Sequence, residues 1–552
     1  MQRFGLAMDA AVNGAGQIVC RSQFDPAAAF AYDDTVQLSV DTLAADVAAC
    51  APLNPFGQGN ISQAARDFVL QDTTSVGEIK QQVVSATLTG DSSALFSLPA
   101  GPIGIALGFE HRTEENFFQA DELVSSGITF YNALPLFDPQ KFKVSEVFTE
   151  LRVPLLKELP FAEELTLNLA GRFADYDGNT GEVFAYNAGI DWAPISSLRF
   201  RAGTARAVRA PSLVDLYSEQ SQNFATINDP CSYRNVGAGA STRVANCAAA
   251  GIPGGPPASG GYDHVYTVTP EILSGGNPEL TEETSDSLTI GFVFQPEFAP
   301  GLSFSADYFD IEIDDVITAP TAQQIMNACY DASDIDNQFC GLFQRWGAAG
   351  GPDFDGSPNH PESPYALVNG TLQQTLLNYA SSTAKGIDFE LGYNHSAGES
   401  GTVKMRLLYT LMLERDDFLD PSNPVDADQT LLELGDPKDA FNFNVDYEVG
   451  ELTLGYQLRY IGKQVLFNYE DTYGLQGEPP QNADYADVRF YPSVMIQDIR
   501  LAYDINEEWN AYVGCDNFAD VLPPLGLTGA TEGGGIYDPR GRYFYAGVKV
   551  SF

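Results

Sequence analysis

The sequence predicts an all-β protein, a transmembrane antiparallel β-barrel of about fifteen strands with long external loops and short periplasmic turns. Three observations carry this. Apolar and polar residues alternate along one segment after another, the period of a strand with one apolar face. The connections between these segments alternate between tight turns and long polar excursions. The chain also closes on such a strand, with Phe544, Ala546, Val548, Val550 and Phe552 on one parity and Tyr543, Tyr545, Gly547, Lys549 and Ser551 on the other. A terminal aromatic suits a strand end at a membrane interface, so Phe544, Val548, Val550 and Phe552 are the expected insertion signal, read by a barrel-insertion machinery.

Residues 1–77 read as an external loop segment without an evident strand, in which Ser62 caps a short helix. Strand alternation begins at about Glu78 and defines a second region, 78–552. Ile103, Ile105, Leu107 and Phe109 form a stripe after the turn Leu98 to Gly101. Thr149, Leu151, Val153 and Leu155 form the next, and a turn at Pro160 leads to Leu165, Leu167, Leu169 and Phe173. Phe184 to Trp192 and Leu198 to Ala202 flank Pro194, and a long excursion covers 211–283. Leu288 to Phe294 and Leu302 to Tyr308 make the next hairpin, followed by an excursion over 315–373. Ile387 to Tyr393 pairs with Val403 to Tyr409, and Phe441 to Tyr447 with Leu452 to Tyr460. Ile499 to Tyr503, Trp509 to Asn517 and the terminal strand complete the series, with further excursions at 415–436, 463–490 and 519–538. The apolar parity is expected to face lipid. The other, carrying Asn168, Arg172, Asp388, Glu390, Asn442, Asn444, Gln457 and Arg459, is expected to face a polar lumen. A soluble sandwich would scatter its long loops over both edges.

Composition agrees. The chain has 552 residues, mean hydropathy −0.13 and no run of about 18 apolar residues, which excludes helical membrane spans. Its net charge of −45 argues against nucleic acid, since no basic stripe is present to meet phosphates. Solvated acidic loops, or an acidic exterior bridged by divalent cations at a lipopolysaccharide surface, accommodate that charge. Cys20 with Cys50, Cys231 with Cys247, and Cys329 with Cys340 lie close together in turn-rich segments, which predicts three loop disulfides in an oxidising compartment and leaves Cys515 alone. Zinc is the rival reading, but no CxxC occurs and His111, His264, His360 and His395 are scattered. The opening MQRFGLAMDAAVNGAG has neither a basic start nor a long apolar core, so the exported chain is expected to begin upstream.

No catalytic motif stands in the sequence, and the protein is expected to be no enzyme, without cofactor, catalytic or metal residues. HExxH and GxSxG are both absent. Asp353 to Gly356 opens like a calcium loop without its closing Glu, and Gly533 to Gly535 lacks a phosphate-loop Lys. Arg199, Arg201, Arg206 and Arg209 are lumen-facing candidates for contact with a plug or an anionic ligand, with plain charge balance as the alternative.

Several stretches together resemble the barrel of TonB-dependent outer-membrane receptors. These are ARAVRAPSLVDLYS from Ala205, NPELTEETSDSLTIGF from Asn277, GIDFELGY from Gly386, CDNFADVLPP from Cys515 and YDPRGRYFYAGVKVSF from Tyr537. The resemblance implies a twenty-two-stranded barrel with an N-terminal plug in the Gram-negative outer membrane. It also implies energisation by the TonB complex and import of a scarce ligand such as a siderophore or oligosaccharide. No plug or TonB box is recognisable here and seven of the twenty-two strands are missing. The expectation is therefore the C-terminal part of such a barrel, not competent alone for transport; a plugless passive pore or a barrel enzyme is the alternative.

Overall fold

The computed structural model describes residues 2–29, 43–125, 140–351, 363–418, 427–465, 473, 490–522, 537 and 540–551. Its main sheet is a meander in which each strand is hydrogen-bonded to the next in chain order. The first eight strands are β1 (Val76–Asp91), β2 (Gly104–Gln119), β3 (Gln140–Leu159), β4 (Ala162–Tyr176), β5 (Gly181–Ile195), β6 (Leu198–Arg209), β7 (Glu283–Phe294) and β8 (Leu302–Thr318). The rest are β9 (Leu377–Ser396), β10 (Thr402–Phe418), β11 (Asp439–Val449), β12 (Leu452–Ile461), β13 (Val494–Asp504), β14 (Trp509–Asp516) and β15 (Tyr543–Val550). A short strand, Ala427–Gln429, adds to β10. The sheet is open: among the described residues, no strand pairs with the free edge of β1 or of β15.

The alternation read from the sequence fixes the register. Phe292, Ala306, Phe389, Tyr409, Phe441, Tyr460 and Met495 stand opposite one another from β7 to β13, and the neighbouring row carries Gly291, Asp307, Asp388 and Thr410. A slip of one residue would move every ring to the polar face, so the two-faced pattern specifies one register for the whole ladder. The rings touch along it, from Trp192 and Phe200 at 5.5 Å between centroids to Phe389 and Tyr409 at 5.7 Å.

The short-turn end is made by local devices. Gly450 supplies a left-handed residue (φ +56°) between β11 and β12, and the Asn506 side chain accepts from the backbone of Glu508 and Trp509 at 2.9 Å between β13 and β14. The strict alternation of loop lengths has two exceptions. β1 and β2, at the short-turn end, are joined by the longer segment 92–103. β4 and β5, joined at the long-loop end, turn within residues 177–180, where Gly178 takes φ +83°.

Two long excursions are not loose loops. They fold together, with Ser221–Phe224 antiparallel and Leu372–Thr375 parallel to a central strand Glu271–Gly275, and with helices Arg243–Ala249 and Ala322–Asp331 against them. Ile272, Ile325, Met326, Leu367 and Leu372 are all buried in their common core. Helix Ala322–Asp331 carries one apolar stripe, Ala322, Ile325, Met326, Cys329 and Tyr330, that the sequence reading passed over, whereas Ile272 and Leu372 sit in short strands a hundred residues apart that show no period by themselves.

Residues 2–29 and 43–70 form another small unit. Helices Gln2–Met8, Leu43–Ala49 and Gln63–Val69 gather around Leu6, Ala7, Ala65 and Phe68. Ser62 caps the third helix as expected, accepting from Ala65 N at 3.1 Å. A hairpin of Ala10–Val12 with Ile18–Cys20 corrects the expectation of a strandless segment; its three-residue arms are too short to show alternation.

Candidate functional site

The polar face of the sheet is a lattice of cross-strand ion pairs. Arg199 reaches Glu164 on β4 at 2.6 Å, and Arg201 holds both oxygens of Asp307 on β8 at 2.6 and 2.5 Å. Gly291 stands between Arg201 and Asp307 in the same row, and a Cβ there would collide with the Asp307 carboxylate. Arg209 donates to Glu283 at 2.9 Å and to Asp215 at 3.4 Å. Arg206 corrects the sequence reading: it shares the parity of Phe200, so it lies on the apolar face, where it clasps Asp286 at 2.9 and 2.6 Å. The RAVR spacing puts an odd number of residues between Arg201 and Arg209 but not between Arg201 and Arg206, so period two separates them.

Beside these pairs lies a recess of about 670 Å³, lined by Glu110, Arg112, Phe148, Arg172, Tyr176 and the buried Glu146, which Arg172 grips. Sequence reasoning picked out Arg172 for its parity but missed Glu146; the clue was its place on the polar parity of β3.

The two motifs beginning at Ala205 and Asn277 meet. Ser212 and Asp215 form a capping box on the helix Leu213–Tyr217, and the end of that helix receives Gly276 N at Ser218 O and Asn277 N at Asp215 O, both at 2.8 Å. A Cβ on Gly276 would stand 2.7 Å from Ser218 N, so only glycine allows this approach. Asn277 also donates to Leu376 O at 2.9 Å, and Asn378 brackets Thr281 at 2.8 and 3.0 Å. Leu213, Leu216 and Leu280 bury together with Phe142 and Ile317 beneath this junction, which therefore joins the folded loop unit to the strand ends. In the motif beginning at Cys515, Asn517 (φ +49°) donates its backbone N–H to Asp498 at 2.7 Å and its amide to Val521 O at 2.7 Å, making the turn after β14.

At the centre of the loop unit, Asp229 receives both Arg345 Nη atoms at 2.7 and 2.9 Å, the Tyr262 hydroxyl at 2.7 Å and Cys231 N at 3.0 Å. Arg345 also donates to Tyr330 Oη at 2.6 Å and Tyr365 O at 2.8 Å. Burial pushes the Asp229 carboxyl up, but Arg345, Tyr262 and the Cys231 N–H outweigh it and hold it below the usual range. Burial raises the Tyr262 and Tyr266 hydroxyls, with the Asp229 charge adding to it, and lowers His264. Every group here is neutralised or saturated, so the network is a keystone and not a reacting centre.

Disulfides join Cys20 to Cys50, Cys231 to Cys247 and Cys329 to Cys340, and Cys515 is free and buried. The last two bridges brace the loop unit. Among the described residues, no group of His, Cys, Asp and Glu is arranged to hold a metal ion, and no helix is long and apolar enough to cross a membrane. Asp353 to Gly356, Gly533 to Gly535, His360 and Phe552 lie outside the described residues, as do parts of the excursions at 415–436, 463–490 and 519–538. Phe544 and Val548 are exposed on the apolar face of β15, and Val550 is half-buried.

A long antiparallel meander with one apolar face, one ion-paired face and its elaborated connections at one end defines a protein of the outer-membrane barrel class. Within that class the chain belongs to the TonB-dependent receptors: the model described as "TonB dependent receptor-like, beta-barrel" matches residues 21–518. The siderophore receptor PirA from Acinetobacter baumannii aligns with TM-score 0.53 and 16% identity over 90% of this chain and 57% of that one. A mutant of the ferric enterobactin receptor PfeA from Pseudomonas aeruginosa, solved with enterobactin, aligns with TM-score 0.51 and 15% identity over 86% of this chain and 55% of that one. The chain thus spans a little over half the length of these solved receptors, and at such identities the likeness is one of fold. No curated protein matches the sequence.

Proposed function

We propose that this chain is the barrel portion of a Gram-negative outer-membrane receptor that takes up a scarce ligand, a siderophore, oligosaccharide or similar molecule, with energy from the TonB complex. The observation that carries the reading is the family match across the strands, together with the junction of the two motifs at Gly276 and Asn277, which mounts an ordered loop unit on the strand ends. On this reading the apolar face contacts lipid, the ion-paired face lines the lumen, and Arg199, Arg201 and Arg209 brace the wall and border whatever fills it. Solved siderophore receptors share the fold, so ferric siderophores are among the first ligands to test.

The test is deletion of the encoding gene in its own cell, followed by uptake assays with labelled ferric siderophores and oligosaccharides, with and without an uncoupler. The expected result is loss of one uncoupler-sensitive uptake. Uptake that the deletion abolishes but the uncoupler leaves intact would establish a passive pore instead.

A further inference from the structure

On the apolar face, ten of the fifteen strands, β1–β5 and β7–β11, carry a point at which apolar side chains give way to charged or strongly polar ones toward the long-loop end. On β1 the change falls between Val84 and Gln82, on β2 between Phe109 and His111, and on β3 between Val147 and Ser145. On β4 and β5 it falls between Phe173 and Asp175 and between Phe184 and Glu182. On β7 the last apolar residue is Leu288, below Asp286; on β8 it is Tyr308, below Asp310; on β9 it is Ile387, below Lys385. On β10 and β11 the changes are Leu411 to Glu414 and Phe441 to Asp439.

These points do not follow the hydrogen-bonded rows. Leu107, Thr149, Gly171 and Tyr186 share one row with Arg206, Asp286 and Glu312, so a single row passes from uncharged to charged between β5 and β6. Followed through the register from Val84 on β1 to Phe441 on β11, the boundary descends by about ten residues over about ten strand steps. At about 3.3 Å per residue and about 4.8 Å between strands, that is a slope of about 35°. Strands of outer-membrane barrels tilt by about 35–45° to the bilayer normal, so a level plane crosses their hydrogen-bonded rows at that same angle.

We infer that this oblique line is a level one, the plane at which lipid hydrocarbon gives way to anionic headgroups on the long-loop side. The inference rests on the membrane reading and deepens it, because it assigns each of these ten strands its own depth. Residues just above the line are those the headgroup layer would require. Arg206 is paired with Asp286 at 2.6 Å and Lys385 with Glu414 at 2.9 Å, so the fixed charges nearest the hydrocarbon are neutralised in pairs. A soluble sheet has no reason to draw such a line, since its apolar boundary would follow whatever packs against it.

The test uses spin labels on the full chain in lipid bilayers, in a Cys515→Ala background. Thr149→Cys and Glu312→Cys lie in one hydrogen-bonded row but on opposite sides of the line. Oxygen should dominate relaxation of the label at 149 and a water-soluble nickel complex at 312, with the same reversal between 288 and 286 and between 441 and 439. Equal nickel access at 149 and 312 in bilayer-inserted protein would overturn the line while leaving the membrane reading in place. Nickel access at every position, with no partitioning into bilayers, would overturn both.

Discussion

Arg345 grips Asp229 through both carboxylate oxygens, at 2.7 and 2.9 Å, across 116 residues of sequence. The pair ties the first long excursion to the second, with the Asp229 side chain wholly buried. Removing one partner of a buried pair leaves the other charge uncompensated, at a cost of about 3–5 kcal/mol. Arg345→Met should therefore make the loop unit sensitive to limited proteolysis between residues 211 and 373 while the strands stay resistant. Asp229→Leu combined with Arg345→Met should be less damaging than either change alone. Single variants as resistant as the parent protein would contradict the keystone role.

Acid should loosen the same unit in two steps. Burial lowers the proton affinity of His264, which stacks edge-on against Tyr266 at 4.5 Å. Below the unfolded-chain value of about 6.5 the unfolded state binds a proton that the folded state refuses, so stability falls as pH drops from there toward the lower folded value. Asp229 is held below the usual carboxylate range, and its contribution is present above about pH 4 and lost as pH falls through its folded value. Proteolytic resistance measured against pH should show a shallow decline starting near pH 6.5 that His264→Gln abolishes, and a steeper one in acid that it leaves. A profile unchanged by His264→Gln would exclude the first step.

The strands were legible because each carries its pattern within ten or so residues: Leu288, Ile290 and Phe292 announce β7 without help from any other segment. The loop unit was missed, because Ile272 meets Leu372 and Asp229 meets Arg345 only after folding, and its one periodic segment, the stripe from Ala322 to Tyr330, is a single short helix inside a polar excursion. Arg206 shows how a residue type misleads when its parity is not counted. Three arginines around it face the ion-paired side, and it alone turns to the side of Phe200. The cysteine pairs were readable for the opposite reason, being close in sequence and in structure.

The Cys231–Cys247 and Cys329–Cys340 bridges close loops of 16 and 11 residues and brace one core. On the chain-entropy account each contributes about 3 kcal/mol. Non-reducing peptide mass spectrometry of exported protein should recover both cross-links and Cys20–Cys50, with Cys515 as the thiol. Cys329→Ser with Cys340→Ser should lower the unfolding midpoint of the loop unit and leave strand content by circular dichroism unchanged. Free thiols at Cys329 and Cys340 in exported protein would refute the pairing.

Side-specific labelling decides which end of the sheet faces outward. Val268, in the loop unit, is 78% exposed, and Glu507 lies in the tight turn between β13 and β14 at the opposite end of the strands. Six of the seven native cysteines are bridged and the seventh is buried, so the parent protein should react little with a bulky, membrane-impermeant maleimide. In intact cells Val268→Cys should label and Glu507→Cys should not, whereas after the outer membrane is permeabilised both should. The asymmetry follows from the fold: polar backbone that leaves the ladder must find water or protein, and among the described residues the folded unit that covers it stands at the long-loop end. Labelling of Glu507→Cys in intact cells with Val268→Cys silent would invert the orientation and carry the ligand-facing role away from the loop unit.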